Sequence, residues 1–246
     1  CLNKNLVQVD DKLLMWELPI EIFKKFKEVI ILTYLFEGSV QKPYFDNFGI
    51  EYQLKSIKDG KIIPYEETSL EDKQKLKSLI NIVSSPKLDE IGEKEFDLSS
   101  SWYKAHIGKP IYVERLKANL INFFTMYTKA KSKESMWSTF NDYKTKLKGK
   151  GYTKGFCAYN IRATNDYREC YALAYTLNVF PHYSLTRYFS NRGMKEINKD
   201  FYALSILLQW IWRSRIRNQD EDFEKRKIDL YLPSSRMKRM LLEWLD

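Results

Sequence analysis

The residues best suited to chemistry are Gln209, Arg213 and Arg217, spaced four apart in the segment LLQWIWRSRIR at 207–217. On a helix this spacing puts an amide and two guanidinium groups on one face, while Ile206, Leu207 and Ile211 turn toward a core. Guanidinium stays charged and pairs bidentately with phosphate oxygens, so the stripe could grip a phosphate chain. The pattern equally fits a solvated basic edge. A second signal is Arg162-Ala163-Thr164-Asn165, which follows an expected strand at 156–160. Small and hydroxyl residues at a strand end let backbone N–H groups approach phosphate, although an ordinary Asn/Asp turn has the same composition. The third is VIILTYLFEGS at 29–39, where Thr33 would leave a buried strand into a Gly/Ser turn. The fourth, KLKGKGYTK at 146–154, offers Lys146, Lys148, Lys150 and Lys154 as phosphate contacts or as a flexible solvated turn.

Other chemistries find little support. The phosphate-loop pattern G-x-x-x-x-G-K-[ST] is absent, and so are H-E-x-x-H and G-x-S-x-G. His106 and His182 stand far apart, and Cys1, Cys157 and Cys170 fit no metal spacing or disulfide framework. No metal site is expected. The odd cysteine count suits a reducing compartment, and no apolar run is long enough to span a membrane, so a cytoplasmic protein is expected. Over 246 residues the formal charge is +9, which favours anionic partners because each phosphate contact releases counterions. Aromatic residues make up 15% of the chain, enough both to fill a core and to stack on bases. The start at Cys1 rather than Met suggests a piece of a longer protein.

Stepwise along the chain, the patterns predict α/β material. A helix is expected at 20–28, a buried strand at 29–35, a short helix at 41–48, and a hairpin turning at Lys58-Asp59-Gly60. Residues 66–108 are polar and charged, with one helix at 70–83, and read as a linker or insertion. Helices are then expected at 111–127, 135–147, 184–192 and 199–217. Strands are expected at 156–160 and 227–232, with a buried apolar run at 171–180. A terminal helix to Leu245 would be capped by Ser234 or Ser235.

Taken in order, the Thr33 segment, the Thr164 segment and the arginine helix resemble the superfamily-two helicases, which carry two RecA-like domains. Gln209 and Arg213 match the first and fifth positions of Q-x-x-G-R-x-x-R. Trp212 stands at its glycine, and Arg217 lies one residue beyond its second arginine, so Arg213, Arg215 and Arg217 all compete for the finger role. More narrowly, ATNDY, LAY, QWIWRSRIR and PSSRM resemble helicase-like proteins of phages and mobile elements, over about residues 12–50 and 115–246. The resemblance implies the end of a first RecA-like domain at 1–65, a helical and charged insertion at 66–108, and a second RecA-like domain at 109–246. It implies that Gln209 senses the nucleotide while Arg213 and Arg217 neutralise the transferring phosphoryl group. Thr33, Arg162, Thr164, Asn165 and Arg215 would serve nucleic-acid contact or coupling. ATP and Mg would bind only with an upstream domain, and none is expected on this piece alone. The expected partners are that upstream domain and nucleic acid, DNA ahead of RNA. A non-enzymatic nucleic-acid-binding protein of a phage or mobile element is the alternative, and a protein-interaction module is a third reading.

Overall fold

The computed structural model describes residues 5–10, 13–58, 60–106, 108–161, 164–219 and 221–246. Three sheets are formed by β1 (Leu6–Asp10), β2 (Leu13–Trp16), β3 (Lys55–Lys58), β4 (Lys61–Pro64), β5 (Ile80–Ile82), β6 (Ser135–Ser138), β7 (Ala172–Tyr175) and β8 (Ile228–Tyr231). The principal helices are α1 (Gln41–Asn47), α2 (Leu70–Leu79), α3 (Ser100–His106), α4 (Pro110–Asn122), α5 (Tyr183–Ser190), α6 (Lys199–Ile211) and α7 (Ser235–Leu245). The chain divides into two compact units, Cys1–Glu66 with Phe180–Ser205, and Glu67–Val179 with Ile206–Asp246.

The second unit is an α/β domain. Its four strands are all parallel, in the order β5-β8-β7-β6. Every residue of β6 and β7 is buried, as expected when a parallel sheet is covered on both faces. Side chains alternate between those faces. Trp137, Ala172, Ala174 and Tyr231 join Val113, Leu116 and Leu120 of α4 in one core. On the opposite face Tyr175 meets Trp210 edge-on, with ring centroids 5.0 Å apart. Continuous burial also explains why 135–147 misleads as a helix. SMWS is a fully buried strand with no period-2 alternation to announce it.

The polar stretch 66–108 is not a linker. Leu76, Leu79, Leu88, Ile91, Leu98 and Tyr103 are buried, and β5 pairs with β8 at the sheet edge. Its apolar residues are too widely spaced to look like a core, because the segment wraps the domain and buries only one side. The helix expected at 70–83 stops at Leu79, where Ile80-Asn81-Ile82 turns directly into the edge strand.

The first unit carries no parallel sheet of its own among the described residues. It holds two antiparallel hairpins, β1–β2 and β3–β4. Lys58 pairs with Lys61 around Gly60, which takes φ 72°, so the expected turn is present; Asp59 lies outside the described residues. Val7, Val9, Leu13 and Met15 cover Tyr188, Phe189 and Ile197, forming this unit's core. Residues 29–33 do not form the buried strand predicted for them. They run as irregular, exposed chain, and Thr33 is exposed with them.

Candidate functional site

The arginine segment does not continue as one helix. α6 ends at Ile211, after which Arg213 N–H and Ser214 N–H reach back only three residues, to Trp210 and Ile211 carbonyls. The Ser214 hydroxyl also donates to the Ile211 carbonyl, at 2.7 Å, and its own backbone is extended. Serine competes in this way with helix continuation. Arg215–Arg217 then forms a single 3-10 turn. The predicted one-face stripe of Gln209, Arg213 and Arg217 is therefore corrected: Gln209 is exposed on the last turn of α6, and the arginines lie beyond it.

What gathers the arginines is the second sequence signal. Arg213 donates Nη2–H to the Ile161 carbonyl, and Arg217 donates Nη1–H to Asn165 Oδ1 at 2.9 Å. Asn218 adds a bond from Nδ2 to the Arg168 carbonyl at 3.1 Å. Thr164 bridges its own loop, donating to Asp166 Oδ2 and accepting from Asp166 N–H. Arg162 lies outside the described residues. Thr33 belongs to the other unit and is not part of this cluster. The strand expected at 156–160 is reduced to a single parallel bridge between Phe156 and Trp137.

The three arginines separate by environment. Arg215 is half-buried, donates Nε–H to the Lys227 carbonyl at 2.7 Å and lies 4.7 Å from the centroid of the Tyr171 ring. That anchoring ties the 3-10 turn to Tyr171 and Lys227, the residues that lead into β7 and β8. Arg213 is half-buried, and its Nε is enclosed without a hydrogen-bond partner. Arg217 is exposed and engages one of its five N–H donors here. Arg217 thus keeps donors exposed to solvent beside Asn165, whereas the Arg213 Nε is enclosed by protein.

Beneath the loop lie two buried free thiols, Cys157 and Cys170. The Trp210 indole donates to the Cys157 carbonyl at 3.0 Å, and Tyr167 donates to the Phe156 carbonyl at 2.6 Å. Burial pushes Cys157 up from 9.0 to about 12, although the nearby Arg213 charge opposes it. Cys170 rises from 9.0 to about 12 and Tyr167 from 10.0 to about 12, again chiefly through burial. These groups hold their protons longer when folded, so their contribution to stability is complete below about pH 9. Above that, the unfolded chain ionises first, and the contribution is lost as pH rises toward 12. Thermal unfolding from pH 8 to 11 is expected to show a progressive fall in Tm beginning near pH 9. A Tm that stays flat across this range contradicts buried, protonated thiols.

The carboxyl edge of the sheet, where open α/β folds commonly bind ligands, is filled by the protein's own polar groups. Tyr103 donates to the Thr176 carbonyl at 2.7 Å and accepts from Thr139. Arg236, 1% exposed, donates from Nη1 to Asn178 Oδ1 at 2.8 Å and to the Val179 carbonyl at 3.0 Å, with Glu95 at 3.5 Å from Nε. Asn178 in turn donates to the Glu95 and Asp97 carbonyls. Ser234 caps α7, as one of the two expected caps. The sequence reading passed over this network, although an arginine two residues after a helix cap was its available signal.

No helix among the described residues is long and apolar enough to cross a membrane, and among them no His/Cys/Asp/Glu group could hold a metal ion. No solved structure matches the chain. An SPbeta prophage-derived uncharacterized protein of Bacillus subtilis (strain 168), YonV, is 41% identical over 249 residues. The match takes in 99% of this chain and 58% of YonV, so the chain spans little more than half of that relative's length. Residues 74–245, which hold the parallel sheet, the arginine cluster and the carboxyl-edge network, match the YonV C-terminal Rossmann-like domain, and the chain belongs to that family.

Proposed function

We propose that this chain is the nucleic-acid-gripping and phosphate-sensing part of an NTP-dependent helicase or translocase. The observation that carries the reading is the meeting of Arg213 and Arg217 with the 161–165 loop across 52 residues of sequence. A basic helix end and a Thr/Asn loop each have innocent explanations alone. Joined on one parallel-sheet domain, they bring the exposed Arg217 guanidinium and the exposed Asn165 amide together, with Arg213 tying the helix end to the loop. The fold agrees with a second RecA-like domain. The missing phosphate loop agrees with a nucleotide held chiefly by another domain, and ATP and Mg would act only there. The overall charge of +9 and exposed Lys146, Lys148, Lys150 and Lys154 supply the electrostatic attraction that nucleic acid requires.

Direct binding tests the nucleic-acid half of this reading. Fluorescence anisotropy with a labelled single-stranded DNA is expected to show affinity that falls steeply as salt rises from about 50 mM. Arg217→Ala should flatten the slope of log affinity against log salt by about 0.7, the value of one single-strand phosphate contact. Salt-independent binding, or a slope unchanged in this variant, contradicts the proposal.

A further inference from the structure

Val29, Ile30, Ile31 and Leu32 form an uncovered apolar run, with exposures of 45%, 63%, 39% and 81%. Three of the four are β-branched, a composition suited to a strand rather than to open chain. Among the described residues, none of these four makes a backbone hydrogen bond. The same unit leaves the outer face of β1–β2 bare, with Leu6, Leu14 and Trp16 exposed. A lone hairpin is marginal in water, and exposed apolar runs of this kind mark contact surfaces.

The pattern says what kind of surface is missing. In an extended segment, Val29 and Ile31 point to one side and Ile30 and Leu32 to the other. Both sides are apolar, so both need covering. An edge strand paired with a second copy would leave one side in water, whereas a strand inside an α/β sheet is covered on both. The B. subtilis relative supplies the room: this chain accounts for 58% of it, and the remainder lies outside the match. We propose that residues 29–32 form a strand of a sheet whose other strands belong to that remaining part of the longer protein. The run is then exposed only because its neighbours are absent. This inference needs no nucleotide chemistry, and it stands even if the helicase reading fails.

Hydrogen exchange tests it on two proteins: this chain, and a fusion joining the relative's unmatched region to it in the relative's own order. Amides 29–32 should exchange as open chain in the first and slow by about 100-fold or more in the second, as in a stable sheet. Ile30→Asp should leave the Tm of the chain alone unchanged while lowering that of the fusion. Exchange equally fast in both proteins overturns the proposal. So does protection in the chain alone that disappears on dilution, which would assign the surface to a second copy. Should the fusion not fold, full-length YonV and its matched segment provide the same comparison, with the same two outcomes.

Discussion

Arg236→Met is expected to lower the stability of the Rossmann-like domain by about 3 kcal/mol, more than any surface charge could contribute. The arginine is 1% exposed and its bonds reach Asn178 and the Val179 carbonyl, with Glu95 beside Nε. Methionine fills similar volume but cannot donate. The Asn178 amide oxygen and the Val179 carbonyl would remain buried with fewer partners, and unmet polar groups cost about 1–3 kcal/mol each. The cost arises because one partner is removed from a network whose other members stay in place. Arg236→Lys restores charge but not the planar fork, and should recover only part of the loss. Urea unfolding measures both variants. A loss below about 1 kcal/mol for Arg236→Met would show that water or a rearranged loop satisfies these groups.

That network also explains why the carboxyl edge is not the proposed site. β7 runs into Thr176 and Asn178, and β8 into Ser234 and Arg236, the places from which a Rossmann-like sheet could address a ligand. Here Arg236 donates to Asn178, Asn178 donates to the Glu95 and Asp97 carbonyls, Thr176 donates its hydroxyl to the Ser138 carbonyl, and Ser234 caps α7. The exposed guanidinium lies instead beyond the end of α6, on Arg217.

Much of both units was legible wherever local pattern and tertiary environment agree. The amphipathic 110–122 helix, the 228–231 strand, the Ser234 cap and the hairpin around Gly60 each carry a local signal that packing reinforces. Errors arose where tertiary contacts outweigh periodicity. SMWS reads as helix because burial on both faces erases alternation, and 66–108 reads as linker because its core residues come singly. Val29–Leu32 reads as buried strand and is exposed here, because its β-branched composition signals a strand while no described neighbour covers it. The candidate site was legible as two separate motifs, but its geometry was not. Ser214 ends α6 before Arg217, and the contact that replaces the helical stripe joins residues 52 apart in sequence.

On the proposed function, Arg213 would stabilise charge on a transferring phosphoryl group. An arginine in that role is worth about 10³-fold or more in turnover, because it meets charge that develops only in the transition state. Arg213 is half-buried and held through Nη2 by the Ile161 carbonyl, with its Nε enclosed by protein. The most direct measurement is DNA-stimulated ATP turnover by the fusion carrying the relative's unmatched region, compared with its Arg213→Ala and Arg213→Lys variants. The reading predicts turnover in the parent and a loss of about 10³-fold or more in both variants at saturating DNA, far larger than any accompanying change in DNA affinity. Full-length YonV that turns over no ATP in the presence of DNA contradicts it, as does an Arg213→Ala fusion as fast as its parent.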